Sequence, residues 1–345
     1  MRAIFLAAMF ALVGAAPGED MVRDVIVIAH RGASGLRPEH TLAAYDLAIA
    51  QGADFIEPDL VLTKDGVFVA RHENDITATT DVADHPEFAA RHATKVIDGE
   101  SHTGWFTEDF TLAELKTLRA RERLPQLRPG NTRYDRQFEV PTLAEIIALA
   151  KKRSAETGRV IGIYPETKHP SYFAGLGLPM EEKLAAELRA AGWDSPTAPV
   201  FIQSFEVENL KRLHALTKVR LIQLMDAQGG PADKAAPSYA AMATPAGLRA
   251  VAAYAYGIGP NKAMIWPGKG SVTALVEQAH AAGLRVHPWT FRAENAFLPP
   301  VWQRGRAPEG QGDLGAEITY FLQAGIDGFF TDFPAEGVRA RAASL

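Results

Sequence analysis

Residues 25–60 read VIVIAHRGASGLRPEHTLAAYDLAIAQGADFIEPDL and contain the pattern that decides the fold. The aliphatic run at 25–30 predicts a buried strand, and a helical pattern over 41–51 follows it. A second apolar run, 55–62, predicts the next strand. Strands that alternate with helices pair in parallel, because the helix carries the chain back across the sheet. The stretch therefore predicts a β/α/β unit.

The same alternation continues to the end of the chain. Further strands are predicted at 160–166, 200–205, 220–225, 257–265, 285–290 and 327–332. Further helices are predicted at 142–153, 181–191, 207–215, 245–256, 271–282 and 315–324. Eight strand–helix units over about this length predict an α/β protein built as a (β/α)8 TIM barrel.

One apolar run, 67–71, follows the second strand too closely for a helical crossover. The intervening Asp65-Gly66 favours a two-residue hairpin turn. This register places His72 opposite Asp59, on the same face of the hairpin. A three-residue loop would instead move His72 to the other face.

The largest break in the alternation is a segment of about 73–140, after the second strand. It is rich in charged residues, histidine and glycine, and it contains one helical pattern near 111–121. We expect this segment to form a small insertion that lies over the barrel mouth.

Polar side chains stand at the carboxyl ends of the predicted strands, where the chemistry of such barrels is located. Glu57 and Asp59 are two residues apart, so they point to one side of their strand. These like charges repel each other unless a cation lies between them, and Glu166 brings a third carboxylate to the mouth. Three oxygen ligands without cysteine favour a hard cation, Ca²⁺ or Mg²⁺. Carboxylates that are solvated or salt-bridged at a strand end would explain the spacing equally well.

His30 and Arg31 end the first strand, beside the second. In the favoured hairpin register His72 joins them, although a histidine in a loop more often has no role. Two histidines can serve as general base and general acid near neutral pH. Arginine, lysine and a metal ion suit the charge that develops on a phosphoryl group. These residue types together indicate metal-assisted cleavage of a phosphodiester.

The sequence resembles the glycerophosphodiester phosphodiesterases, and their exported, periplasmic branch in particular. The matching stretches follow the family's order and are AHRGASGLRPEHTLAAYDLAIAQGADFIEPDLVLTKDGVFVARHEN, IGIYPETK, FIQSF, GIGP, VHPWT and GFFTDFP. The first stretch, with HRG, PE-x-T, E-x-D and TKDG, is the most specific of them. The resemblance implies a barrel that hydrolyses glycerophosphodiesters such as glycerophosphocholine to sn-glycerol 3-phosphate and an alcohol.

The resemblance also implies roles for individual residues and a small-molecule substrate. The implied metal ligands are Glu57, Asp59 and Glu166, the implied acid/base pair is His30 and His72, and the implied substrate contacts are Arg31, Glu39 and Lys168. Gln203 and Trp289, at two further strand ends, complete the predicted substrate-binding set. One divalent cation is implied, with Ca²⁺ preferred and Mg²⁺ possible.

Two positions depart from the family pattern. Glu73 stands where an aspartate usually follows the second histidine. We expect its longer side chain either to reposition His72 or to leave the site differently hydrated. Thr167 replaces the isoleucine of the family's PE-I-K, and its side chain points to the other side of the strand.

The composition excludes several classes of function. The chain has 345 residues, a net charge of -5 and no cysteine. The charge argues against a nucleic-acid partner, which requires a basic face. The lack of cysteine excludes disulfides, thiol nucleophiles and thiolate metal sites.

The first residues have the pattern of a secretory signal peptide, with Arg2, an apolar run at 4–13 and small residues before Pro17. We therefore predict a signal peptide at 1–16, a barrel domain at 22–345 and a periplasmic protein without a membrane anchor. The resemblance makes a homodimer possible.

Two alternatives remain open from the sequence. A lysophospholipase D-type enzyme would keep the metal and the histidines but would bind acyl chains, and 291–302 is the nearest candidate for a membrane-seeking loop. A non-catalytic periplasmic protein that captures glycerophosphodiesters would not need both histidines.

Of the other histidines, His40 is expected to support the site or start a helix, and His169 or His287 could line the pocket.

Overall fold

The structure is a computed structural model that describes residues 25–344. The predicted signal peptide, 1–16, lies outside the described residues, so export to the periplasm stays a prediction, as does the homodimer. None of the helices in the described part of the chain has both the length and the apolar character needed to cross a bilayer.

Strands and helices alternate along the described residues. The strands are β1 Ile26–His30, β2 Phe55–Glu57, β3 Asp59–Leu62, β4 Phe68–Ala70, β5 Ala93–Ile97, β6 Glu100–Gly104, β7 Gly162–Ile163, β8 Glu166–Thr167, β9 Phe201–Ser204, β10 Arg220–Met225, β11 Gly257–Pro260, β12 Arg285–Val286 and β13 Gly328–Thr331. The helices are α1 Leu42–Ala50, α2 Leu112–Leu115, α3 Leu143–Thr157, α4 Pro170–Gly175, α5 Glu181–Ala190, α6 Val207–Leu216, α7 Tyr239–Met242, α8 Pro245–Val251, α9 Leu275–Ala281, α10 Leu314–Gln323 and α11 Pro334–Ala343.

The barrel strands form two sheets, which pair in the orders β13-β1-β2-β7 and β12-β11-β10-β9-β8-β3-β4. All of these pairs are parallel except β3 with β4, which is antiparallel. The two sheets meet at two seams, where single parallel bridges join Ile163 to Val200 and Phe291 to Thr331. Because a helix follows each strand position around this ring, the arrangement confirms the predicted (β/α)8 TIM barrel.

Prolines interrupt two barrel strands that the sequence predicts as continuous. Pro58 separates β2 from β3, and Pro165 lies just before β8. Proline has no N–H to donate to a strand ladder, so regular pairing breaks there. Each break stands immediately before a carboxylate of the mouth, Asp59 or Glu166.

Aromatic rings fill the barrel interior below the mouth. Tyr164 stacks on Phe201 at a centroid distance of 4.9 Å and meets Phe330 edge-on at 5.0 Å. The Tyr164 hydroxyl lies 2.8 Å from Nδ1 of His287, which is buried in this cluster. The expectation that His287 could line the pocket is therefore wrong, since its ring is satisfied inside the core.

The hairpin after the second strand has a three-residue loop, so the predicted register is wrong. Gly66, at φ 74°, donates its N–H to the carbonyl of Thr63 over 2.9 Å, and Thr63 N–H bonds to the carbonyl of Val67 over 3.0 Å. These contacts describe a type I turn followed by a left-handed residue. The shift places Arg71, rather than His72, opposite Asp59, with Arg71 N–H bonded to the Asp59 carbonyl.

The segment between β4 and α3 contains structure that the sequence did not predict. The helix expected near 111–121 is only α2, and a hairpin of β5 and β6 precedes it. The short helices α4 and α7 and the last helix, α11, were also not predicted. The proposed limits of the insertion, about 73–140, stay a prediction.

Candidate active site

Three carboxylates from two neighbouring barrel positions meet at the mouth. Glu57 ends β2, Asp59 begins β3 and Glu166 begins β8. Asp59 and Glu166 are direct partners in the parallel β3–β8 pair. One oxygen from each carboxylate lies within 4.8 Å of the other two, and all three side chains are buried. The structure thus brings together the three residues predicted as metal ligands.

The charges of this acidic cluster are poorly compensated. Burial raises the pKa of Glu57 well above its usual value, and the charges of Asp59 and Glu166 add to the shift. Burial also raises the pKa of Glu166 to about 8, against the effect of Lys168. Burial alone would raise the pKa of Asp59 too, but Lys168 and Arg31 hold it well below the usual range. Buried oxygens that repel one another in this way fit a divalent cation, whose charge would relieve the repulsion.

Two cationic side chains stand beside the acidic cluster. Lys168 Nζ lies 2.9 Å from Glu166 Oε1 and 4.0 Å from Asp59 Oδ1. Arg31 adopts a left-handed backbone conformation, at φ 59°, and its N–H donates to Glu57 Oε2 over 2.8 Å. Its Nε lies 3.2 Å from Asp59 Oδ2. Both cations therefore lie where a phosphate group near the cluster would meet them.

Two residues of the PE-x-T stretch lie behind this cluster instead of lining the cavity. Glu39 contacts Arg31 at 3.3 Å and Arg123 Nε at 2.9 Å, so the prediction that it binds substrate directly is not supported by its position. His40 is fully buried, with Nε2 2.9 Å from Asp59 Oδ2 and Nδ1 2.8 Å from the Tyr45 hydroxyl. Its contacts fit the expected supporting role.

His30 is oriented by a buried carboxylate. Its Nδ1 lies 2.6 Å from Asp332 Oδ1 at the end of β13. Asp332 also binds Arg128 and Arg292, which hold its pKa well below the usual range despite burial. Burial and the nearby Arg31 lower the pKa of His30 to about 4. The ring is therefore neutral at pH 7, with Nδ1–H toward Asp332 and Nε2 as its basic atom.

His72 reaches the same cavity although the hairpin register differs from the prediction. Strand β4 ends at Ala70, and the last hydrogen bond of the hairpin is the one from Arg71 N–H to the Asp59 carbonyl, so the alternation of faces no longer governs His72. Nδ1 of His72 lies 2.8 Å from Glu73 Oε1. Burial, Arg31 and Lys168 lower the pKa of His72 to about 3. This second imidazole is therefore also neutral at pH 7.

Glu73 connects His72 to a second histidine. Glu73 Oε2 lies 2.7 Å from Nε2 of His169, and Nδ1 of His169 lies 2.6 Å from Asp98 Oδ2. Burial alone would lower the pKa of His169, but the hydrogen bonds to Asp98 and Glu73 raise it to about 9. At neutral pH His169 is therefore a cation between two carboxylates, beside the cavity and not part of its lining.

The charge of His169 predicts a pH dependence of stability. The pKa of His169 is higher in the folded protein than in the unfolded chain, so its protonation stabilises the folded state. This stabilisation is complete below the unfolded pKa of about 6.5 and is lost as the pH rises through about 9. Urea unfolding of the natural protein and of His169→Gln should therefore differ by roughly 1 to 3 kcal/mol at pH 6. The difference should shrink by pH 10, and an equal difference at both pH values would contradict the assignment.

The cavity above the acidic cluster has a volume of about 280 Å³. Its lining includes both histidines and most of the predicted site: His30, Arg31, Glu57, His72, Glu166, Lys168, Gln203, Phe205, Leu224, Asp226, Trp289 and Phe330. Gln203 Nε2 donates to Glu57 Oε1 over 3.1 Å. The Trp289 indole donates to the Gly259 carbonyl over 2.8 Å and packs edge-on against Phe205, forming an apolar wall.

Three functional contacts were missed from the sequence. Asp332 is the last residue of the predicted strand 327–332 and was given no role, although it orients His30. Arg128 and Arg123 come from the segment between β4 and α3, and each binds a carboxylate that contacts a site residue. Their distance along the chain from those carboxylates left no local signal for the pairing.

Comparisons with known proteins agree on one family. A model of the glycerophosphoryl diester phosphodiesterase family matches residues 30–336. The glycerophosphodiester phosphodiesterase GDPD6 of Arabidopsis thaliana is 38% identical over 89% of this chain and 83% of its own length. The glycerophosphodiester phosphodiesterase of Haemophilus influenzae is 32% identical over 92% of this chain and 90% of its own.

Solved structures share the fold at lower identity. A crystal structure described as a glycerophosphoryl diester phosphodiesterase of Silicibacter pomeroyi has a TM-score of 0.67 and 22% identity, covering 93% of this chain and 94% of its own. A phosphodiesterase of Oleispira antarctica, in complex with the product sn-glycerol 3-phosphate, has a TM-score of 0.60 and 22% identity, covering 91% of this chain and 96% of its own.

Proposed function

Because the chain belongs to the glycerophosphoryl diester phosphodiesterase family, we propose that it hydrolyses glycerophosphodiesters, such as glycerophosphocholine, to sn-glycerol 3-phosphate and an alcohol. The relatives that match most of this chain are named glycerophosphodiester phosphodiesterases, and the chain is an enzyme of that class. The product bound to the Oleispira antarctica phosphodiesterase supports a small-molecule glycerophosphodiester substrate.

One observation carries the proposal. Two imidazoles, His30 and His72, line the same cavity as two cations and two members, Glu57 and Glu166, of the cluster of three carboxylates. Each imidazole has a carboxylate on Nδ1, which leaves Nε2 as the basic ring atom. A capture protein without activity would need the cations but has no use for two oriented bases.

The acidic cluster supports a divalent cofactor. Glu57, Asp59 and Glu166 would hold one cation, and we propose Ca²⁺, with Mg²⁺ as the alternative, because all three ligands are hard oxygens. When bound, the cation supplies positive charge that stabilises the developing charge of the phosphoryl group.

The remaining steps belong to the side chains of this chain. Arg31 and Lys168 bind the phosphate oxygens. The nucleophile is either water or the 2-hydroxyl group of the glycerol. Nε2 of one histidine accepts its proton as it attacks phosphorus. The other histidine, whose pKa the anionic phosphate raises, gives a proton to the departing alcohol as its P–O bond breaks. Attack by the glycerol hydroxyl gives a cyclic phosphate, which water then opens.

The cavity predicts a preference for small diesters over lysophospholipids. The cavity has a volume of only about 280 Å³, so a long acyl chain would extend out of it into water instead of being buried there. We expect turnover of glycerophosphocholine to exceed that of lysophosphatidylcholine by about 100-fold or more, which corresponds to roughly 3 kcal/mol. The released glycerol 3-phosphate or choline can be measured for each substrate with Ca²⁺ present.

The same assay separates the alternatives. Faster turnover of lysophosphatidylcholine would favour a lysophospholipase D-type enzyme. Binding of glycerophosphocholine without any product, in the presence of Ca²⁺ or Mg²⁺, would favour the capture protein and would overturn the proposed hydrolysis.

A further inference from the structure

We propose that Glu73, His169 and Asp98 are positioning residues that hold His72 for the reaction, so that a hairpin outside the barrel sets the geometry of the catalytic centre. The inference rests on the proposed function, because it assigns the three residues a part in that reaction. None of them lines the cavity that contains His72, but Asp98 and His169 line an adjoining one that shares Glu166 and Lys168 with it.

The Glu73 carboxylate contacts two histidine rings at once. Oε1 lies 2.8 Å from Nδ1 of His72, and Oε2 lies 2.7 Å from Nε2 of His169. An ionised carboxylate only accepts hydrogen bonds, so both of these ring nitrogens carry protons. For the neutral His72 ring this fixes the tautomer, with Nδ1–H toward Glu73 and an unprotonated Nε2 available to substrate.

His169 is itself held in place, because both of its ring nitrogens have carboxylate partners. Nε2 lies 2.7 Å from Glu73 Oε2, and Nδ1 lies 2.6 Å from Asp98 Oδ2. The ring cannot turn without breaking a charge-assisted hydrogen bond. His169 therefore keeps a donor on the Glu73 carboxylate, which holds that carboxylate toward His72.

The hairpin of β5 and β6 supplies the second carboxylate that holds His169. Asp98, whose Oδ2 lies 2.6 Å from His169 Nδ1, stands at its tip between Ile97 and Glu100. Asp98 and Gly99 have φ values of 51° and 89°, as in the tight two-residue turn typical of hairpins. The turn presents the Asp98 carboxylate at a fixed position beside the mouth.

The middle of the hairpin is tied to its surroundings as well. Lys95 on β5 lies 2.9 Å from Glu108 Oε1 and 2.8 Å from Asp109 Oδ2. The Tyr172 hydroxyl, on α4, donates to the same Glu108 over 2.6 Å. The hairpin and the start of α4 thus share a partner, which supports their acting as one frame for His169.

The test compares His169→Ala, His169→Gln and Asp98→Ala with the natural enzyme. We expect His169→Ala and Asp98→Ala to lower kcat for glycerophosphocholine by about 10- to 100-fold, as when an outer partner of an oriented histidine is removed. KM should stay within about 2-fold, because Arg31 and Lys168 remain. His169→Gln keeps an N–H donor for Glu73 and should recover most of kcat.

A matched control comes from the same part of the chain. His85 also lies between two carboxylates, 3.5 Å from Asp81 and 3.1 Å from Glu87, but it does not contact Glu73, the carboxylate that binds His72. His85→Ala should keep the kcat of the natural enzyme. Normal kcat in folded His169→Ala and Asp98→Ala would overturn the proposal.

A second readout does not depend on activity. Nitrogen-15 NMR of the His72 ring should show a proton on Nδ1 in the natural protein and a mixture of tautomers in His169→Ala. A proton on Nε2 in the natural protein would overturn the positioning role even if the enzyme is active. The expected tautomers in a protein that releases no glycerol 3-phosphate would uphold the positioning of His72 and overturn the proposed function alone.

Discussion

Replacing either His30 or His72 with alanine is expected to lower kcat for glycerophosphocholine by about 100- to 10,000-fold. Each ring supplies an unprotonated Nε2 to the cavity, because a carboxylate occupies its Nδ1. A water molecule that fills the space of the lost ring would be a far weaker base and a far weaker acid. The phosphate-binding cations are unchanged in both variants, so KM should change much less than kcat.

Three measurements make this first prediction decisive. Circular dichroism and thermal unfolding should show that both variants are folded. His214→Ala removes an exposed histidine of α6 and should retain full turnover. If both single variants retain full turnover in folded protein, the assignment of the acid/base pair is wrong.

Loss of the divalent cation, or of one of its ligands, is expected to have an equally large effect. Chelation, Glu57→Gln or Asp59→Asn should each reduce turnover about 1,000-fold or more, since a bound cation contributes several kcal/mol to charge stabilisation. Adding Ca²⁺ or Mg²⁺ to the chelated natural protein should restore release of glycerol 3-phosphate. Adding Ca²⁺ or Mg²⁺ should not restore the turnover of Glu57→Gln or Asp59→Asn.

The fold should tolerate the neutral amide of Glu57→Gln better than the natural carboxylate, because the amide removes repulsion in the buried cluster. We therefore expect Glu57→Gln to unfold at the same or a higher temperature than the metal-free natural protein. Glu208→Gln, at an exposed position of α6, serves as the matched control and should leave turnover unchanged. Full activity of Glu57→Gln in the presence of a chelator would contradict the role of the cation.

The sequence predicts the barrel well because its signals are local and repeated. Each aliphatic strand and the helix that follows it can be read from a short window, and polar residues mark the mouth. The break at Pro58 was not predicted, since an apolar run on both sides of the proline conceals it. The breaks at Pro58 and Pro165 matter for the site because the two prolines adjoin all three clustered carboxylates, Glu57, Asp59 and Glu166.

The hairpin register shows where local signals are insufficient. Asp65-Gly66 fits a two-residue turn, yet the structure uses Gly66 as the left-handed residue of a three-residue loop. Both turns contain Asp65 and Gly66. The two-residue turn of type I′ needs positive φ at both residues, whereas the three-residue loop needs it only at Gly66. His72 still reaches the cavity because the chain leaves the strand after Ala70, which no alternation rule describes.

The supporting residues of the site were the least predictable part. Asp98, His169 and Arg128 act through pairs that join distant segments of the chain, and single residues of these types occur throughout the sequence. Charge and spacing can indicate a catalytic side chain at a strand end. They do not indicate which distant carboxylate will orient it, because that depends on how the segment between β4 and α3 packs.

The most direct test of the central claim is anomalous diffraction from crystals of the natural protein grown with Ca²⁺, measured at long wavelength. The account predicts one strong peak per chain, bound by oxygens of Glu57, Asp59 and Glu166, with the rings of His30 and His72 on either side of it. A cavity without a peak at a saturating Ca²⁺ concentration, or a single peak bound by other residues, would contradict it.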